Sequence, residues 1–175
     1  MQGWQNLTEI RALADELDEV RFIASNPFCV LVSLEIGAGL LAPTDPSGGP
    51  GTMRHLRQSN ESYQPSVLRY TALQHLESEQ GGLWLSIGRT SDNDVVVNDY
   101  AVSRRHARFR QVAGVGFVIE DVGSVNGTAL DGAWLTPNEQ NRLRSGQSLR
   151  FGRLAFTFLE ARDFHTFLVT LVPLS

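Results

Sequence analysis

Between Val102 and Ala107 the chain reads VSRRHA, which places a hydroxyl, two guanidinium groups and an imidazole in four consecutive positions. Two further stretches carry related chemistry: IGRTSDND at 87–94 and DVGSVNGTALDG at 121–132. Together they supply Arg89, Ser103, Arg104 and Asn126, a set of hydrogen-bond donors of which two are permanently cationic. Such a set suits a compact anion better than an apolar ligand. A phosphorylated hydroxyl carries about −1.5 to −2 charges and three acceptor oxygens, and forked guanidiniums with short hydroxyl donors match it. Other chemistries fit poorly. Serine and histidine stand three apart in SRRH, but there is no G-x-S-x-G elbow, so no enzyme is expected. His55, His75, His106 and His165 are scattered and Cys29 has no second thiol, so neither a metal nor a cofactor is expected. The basic patch RRHARFR is short and the whole chain carries a formal charge of −4, which argues against nucleic acid.

These donors need a scaffold that brings them together. From Ser66 onward the sequence is a succession of strand-sized units and turns: SVLRYTAL, LWLSI, DVVV, HARFRQV and GFVIEDV. In HARFRQV, Ala107 and Phe109 alternate with Arg108 and Arg110, the period of a half-buried strand, and Arg105, Arg108 and Arg110 read as a basic outer face. LRFGRLAFTFL reads as a hairpin turning at Gly152-Arg153. Short strands without intervening long helices predict a mainly β fold, an antiparallel sandwich or barrel whose loops gather at its ends. Ser103, Arg104, Arg89 and Asn126 then all belong to connections. His106, heading a strand with an apolar face, reads as a buried structural residue.

The N-terminal part differs in kind. Asn6 can cap a helix and Glu9 can bond back to it, and Ile10, Leu13, Leu17 and Val20 form one stripe at helical spacing. Pro27 ends that helix, and FCVLVSL follows as a buried strand. The expected division is an N-terminal helix and strand at 1–42, accessory to the core; a flexible Pro/Gly/Ser-rich loop or linker at 43–65; the sandwich at 66–161; and a tail at 162–175 that favours helix. Thr44 and Thr52 in the loop are candidate phosphorylation sites that the chain could bind itself. With 175 residues and 42% apolar content, one full core and a small appendage are affordable. The longest apolar run, at 28–42, has 15 residues and includes Glu35, whereas a membrane span needs roughly 20, so no membrane insertion is expected. The single cysteine and the absence of a basic-then-apolar N-terminus point to the cytoplasm.

The series GR, SDNDVVV, VSRRHA, EDVGSVNGT, LDG and SGQSLRFG, in this order and spacing, resembles a forkhead-associated (FHA) domain. Residues 1–60 carry no such resemblance. The likeness implies an FHA/SMAD-like sandwich of about eleven strands whose loops bind phosphothreonine peptides. It implies that Arg89 pairs with the phosphate or holds the peptide backbone near it, that Ser103 donates its hydroxyl to a phosphate oxygen with Arg104 beside it supplying charge, and that Asn126 bonds the peptide main chain. Ser124 and Val125 lie beside Asn126 in the same loop. Gly88, Gly127 and His106 are implied as structural support. Val125 departs from the pattern, standing where the family often has a threonine hydroxyl, and Ser124 is the nearest substitute for it. The implied partners are a phosphothreonine-containing protein or peptide and a Ser/Thr kinase or its substrate. The alternative is a docking or self-association scaffold that ignores phosphate.

Overall fold

The computed structural model describes residues 4–34, 68–73 and 84–170. The loop expected at 43–65, with Thr44 and Thr52, lies outside the described residues, as do His55, His75 and 171–175. Among the described residues, twelve strands form two facing sheets. One has seven strands: β1 (Gln5–Asn6), β3 (Leu68–Leu73), β2 (Cys29–Leu34), β12 (Leu154–Leu159), β11 (Ser148–Phe151), β8 (Thr128–Leu130) and β9 (Ala133–Trp134), in that spatial order. The other has five: β10 (Asn141–Leu143), β7 (Gly116–Asp121), β6 (Ala107–Val112), β4 (Leu85–Gly88) and β5 (Val95–Val96). All pairings are antiparallel except β4 with β5. The fold is the mainly β sandwich expected.

Alternation decides which side chains fill the space between the sheets. Ala107 and Phe109 of β6, Leu149 and Phe151 of β11, and Phe156 and Phe158 of β12 point inward with Leu31, Leu85, Ile87 and Ile119. Phe151 is the hub, 5.4 Å edge-on from the His106 ring, 6.3 Å from Phe109 and 5.3 Å from Phe156. Each such aromatic pair adds about 0.5–1.5 kcal/mol beyond area burial. The hairpin forms as expected, with Phe151 opposite Leu154 across Gly152-Arg153. Trp4 stacks on Phe156 at 5.5 Å and donates its indole N–H to the Val96 carbonyl at 2.8 Å, so the N-terminus reaches across to the five-stranded sheet.

Two expectations need correction. The apolar strand set aside as accessory is an interior strand of the large sheet: β2 lies between β3 and β12, with Leu31 opposite both Thr71 and Phe158. FCVLVSL is apolar on both faces because both faces are buried. Cys29 and Leu31 enter the sandwich core, while Val30 and Val32 face a second core outside it. The single N-terminal helix is two. α1 (Leu7–Glu16) is capped by the Asn6 side chain, which accepts from the N–H and the hydroxyl of Thr8. Leu17 is extended, and Asp18 starts α2 (Glu19–Ser25) by accepting the Arg21 N–H at 2.9 Å. An aspartate free to cap a new helix interrupts the stripe, and Val20 is left 76% exposed. With α3 (Ala161–Thr170), these helices lay Leu7, Ile10, Phe22, Phe164 and Leu168 over Val30, Val32 and Tyr70, making a third layer on the large sheet.

Candidate functional site

Three connections leave the same rim of the sandwich: 89–94 after β4, 97–106 before β6, and 122–127 after β7. The first two are joined around Gly88. A β-carbon there would sit 2.2 Å from the Arg104 carbonyl oxygen and 2.7 Å from the Asn93 amide nitrogen, so only glycine lets the strands and loop approach this closely. The same carbonyl accepts from Asn93 Nδ2 at 2.7 Å and from Thr90 Oγ1 at 3.0 Å. The Arg89 backbone N–H donates to the Ser103 carbonyl at 2.9 Å. Arg89 and Arg104 are thereby fixed as neighbours through main chain, leaving their side chains to the surface.

His106 holds the second connection to the third. Its ring is fully buried, and its Nδ1 accepts the Ser103 N–H at 3.0 Å, which requires that nitrogen to carry no proton. The proton therefore resides on Nε2, which donates to the Gly127 carbonyl at 3.1 Å. Burial pushes the imidazole pKa below its ordinary value, against the opposing pull of the Gly127 bond and the nearby Asp121, so the neutral form is the folded one.

The third connection wraps around Asp121. This carboxylate is 1% exposed and accepts four hydrogen bonds: from the N–H groups of Gly123 and Ser124, both at 2.8 Å, and from the hydroxyls of Ser124 and Thr128, both at 2.6 Å. Burial alone would raise its pKa. The donated bonds outweigh burial and hold it below the usual carboxylate value. Gly123 and Gly127, at φ +87° and +76°, supply the left-handed turns that let the loop close on it.

The result is an open cleft of about 720 Å³ lined by residues of all three connections, among them Arg89, Ser103, Arg104, Val125 and Asn126. Three arginines, Arg89, Arg104 and Arg105, face it against one carboxylate, Asp92, which Arg105 meets at 3.4 Å. Ser103 Oγ accepts the Val125 N–H at 2.9 Å, so its own hydrogen remains to donate outward. Arg89 leans over the Tyr100 ring at 5.4 Å, and its Nε reaches the Val102 carbonyl at 3.3 Å. Asn126 donates one amide hydrogen to the Ala101 carbonyl at 2.9 Å, which orients its remaining donor and its carbonyl. Chemically, this is a shallow, cationic, donor-rich surface suited to an anionic group on an extended chain. Among the described residues no cluster of metal-ligating side chains occurs.

Of the residues singled out from the sequence, Arg89, Ser103, Arg104, Val125 and Asn126 come together, with Gly88, Gly127 and His106 behind them. Ser124 does not join them. Its hydroxyl is given to Asp121, and it does not stand in for the hydroxyl missing at Val125. Arg105 was assigned to an outer face with Arg108 and Arg110, but it lines the cleft, because it precedes the strand and strand alternation does not govern it. Arg108 and Arg110 do lie outside, over the Trp84 ring at 4.1 and 4.6 Å. Asn93, Asp121 and Tyr100 escaped notice. The first two sit inside stretches that drew attention for their neighbours, and only their burial, at 4% and 1%, distinguishes them.

Residues 85–152 match the family profile described as FHA domain. An oxoglutarate dehydrogenase inhibitor of Corynebacterium diphtheriae is 38% identical over 73 residues, which cover 42% of this chain and 48% of that protein. The glycogen accumulation regulator GarA of Mycolicibacterium smegmatis is 39% identical over 74 residues, covering 42% and 44%. The chain thus spans less than half the length of these curated relatives. Among solved structures, the FHA domain of the CT664 protein from Chlamydia trachomatis aligns with TM-score 0.48 at 20% identity, over 75% of this chain and 97% of that one.

Proposed function

We propose that this chain, whose residues 85–152 match the FHA domain profile, is a phosphothreonine-peptide-binding adaptor in Ser/Thr-kinase-dependent signalling or assembly. The observation that carries this reading is the convergence of Arg89, Ser103, Arg104 and Asn126, from three separate connections, on one cleft. Arg89 and Arg104 provide charge, the free hydrogen of Ser103 provides a short directional donor, and Asn126 is oriented to bond a peptide main chain. Each charge-assisted bond contributes about 1.5–3 kcal/mol. Three of them, less the cost of immobilising a short peptide, correspond to a micromolar affinity, about −8 kcal/mol. The partner is a phosphothreonine-bearing protein, either a kinase or a kinase substrate, and the working compartment is the cytoplasm. Among the described residues no helix is long and apolar enough to cross a membrane.

Titration with a phosphothreonine peptide pool and its unphosphorylated counterpart tests this directly. Binding is expected for the phosphorylated pool alone, and Arg89→Ala is expected to cost about 2 kcal/mol, roughly thirtyfold in affinity. Equal binding of both pools removes the phosphate reading. It would favour a second one, phosphate-independent docking, which draws support from Val125 and Tyr100: both line the cleft as large side chains, 88% and 92% exposed.

A further inference from the structure

We infer that Asp99 and Arg153 are positioning residues for the cleft: their ion pair straps the Ser103 loop to the turn of the β11–β12 hairpin. The part of this inference that concerns affinity rests on the phosphopeptide reading above.

The loop from Val97 to His106 needs such a fastening. Its middle holds Tyr100, 92% exposed, between the two apolar anchors Val97 and Val102, both buried. Asp99 engages both carboxylate oxygens: Oδ1 accepts the Ala101 N–H at 2.7 Å, and Oδ2 accepts from Arg153 at 2.9 Å. The Arg153 hydrogen bond is the foremost cause that holds the Asp99 carboxyl below its usual range. Asp99 is the more enclosed partner, its side chain 23% exposed against 68% for Arg153.

The turn that carries Arg153 is seated against the loop rather than merely near it. A β-carbon on Gly152 would lie 2.5 Å from the Ala101 carbonyl oxygen, and Gly152 occupies φ +58°, so a side chain is excluded by both contact and conformation. That carbonyl also receives the Asn126 amide, and the Gly152 N–H donates to the Gly127 carbonyl at 3.0 Å. One hairpin turn of the seven-stranded sheet therefore touches two of the three connections that line the cleft, and Asp99–Arg153 is its only charged tie to the loop bearing Ser103 among the described residues.

Asp99→Asn separates this role from a simple field effect. The asparagine keeps an oxygen for the Ala101 N–H but loses the ion pair. Removing a negative charge beside a cationic cleft would by itself strengthen anion binding, whereas loosening the strap weakens it. We expect Asp99→Asn and Arg153→Ala each to weaken phosphothreonine-peptide binding about three- to fivefold, the scale of an exposed pair. Arg153→Lys should restore most of the loss, and hydrogen exchange at the Ala101 and Ser103 amides should quicken in the peptide-free variants while β6 and β11 stay protected. Tighter binding by Asp99→Asn, or unchanged exchange at those amides, overturns the inference. If the wild-type chain binds phosphorylated and unphosphorylated peptide alike, the functional reading fails. The exchange measurement on the free protein still decides whether the strap exists.

Discussion

The 122–127 and 97–106 loops adjoin at the cleft, joined by the Val125–Ser103 and Asn126–Ala101 hydrogen bonds, yet they are held by different means. The 122–127 loop is wrapped around one buried carboxylate with four donors pointing inward. The 97–106 loop is held piecewise along its length: by a neutral imidazole and main-chain bonds at Ser103 and Arg104 towards one end, and by a partly exposed ion pair near the other. A buried, fully satisfied network is rigid, and removing its centre strands every donor that pointed at it. A partly exposed pair contributes little to stability and is weakened by salt. The contrast is between a loop built on one buried centre and a loop that depends on many separate ties to its neighbours.

The sharpest way to break this comparison is at Asp121. Asp121→Ala leaves four donors without their acceptor and is expected to lower stability by about 3 kcal/mol in urea denaturation. A loss below about 1 kcal/mol, the range of a surface pair, would mean that the two loops are anchored alike. The next largest effect belongs to Gly88→Ala. Its β-carbon meets the Arg104 carbonyl, backbone that can move only by displacing the Ser103–Arg104 segment. We expect a stability loss of about 1–3 kcal/mol, together with weaker phosphopeptide binding measured by calorimetry.

Acid should separate the loops further, with a smaller effect. The folded-state pKa of His106 is depressed, so its contribution is complete above the ordinary histidine value of 6.5 and declines as the pH falls through it. Protonating Nδ1 would also forfeit the bond from Ser103. Asp121 is likewise depressed, but from a carboxylate value of 3.8, so its contribution survives until the pH drops below that and through its folded value. Denaturation midpoints measured from pH 8 to 3 should therefore fall in two stages, the first absent in a His106→Gln variant. A single decline below pH 4 in the wild-type protein would show that His106 is not the acid-sensitive anchor.

Much of the scaffold was legible because strand alternation is a local signal. Phe109 against Arg108 and Phe156 against Thr157 declare their faces within a few residues. The cleft donors were legible because VSRRHA, GR and SVNG fall between such strands. What stayed hidden depended on contacts made across the chain. FCVLVSL is apolar at every position but Ser33, which fits a peripheral segment as well as an interior strand; only its pairing with β3 and β12 decides. Asp18 can sit within a helix or cap a new one, and the packing of Phe22 against the α3 residue Phe164 accompanies the second outcome. Ser124 looked available for a ligand because nothing in the sequence says that Asp121, three residues earlier, is buried beneath it. Asp99 and Arg153 lie 54 positions apart and meet only in the folded chain.

The central claim, that the three connections grip the same phosphorylated residue, is tested most directly by titrating a phosphothreonine peptide into isotopically labelled protein and following backbone amide resonances. The account predicts that Arg89, Ser103, Arg104, Val125 and Asn126 shift together along one binding curve, with α1, α2 and α3 unmoved. Shifts confined to one loop, or centred on Trp84 and the outer arginines, or reproduced by the unphosphorylated peptide, would contradict it.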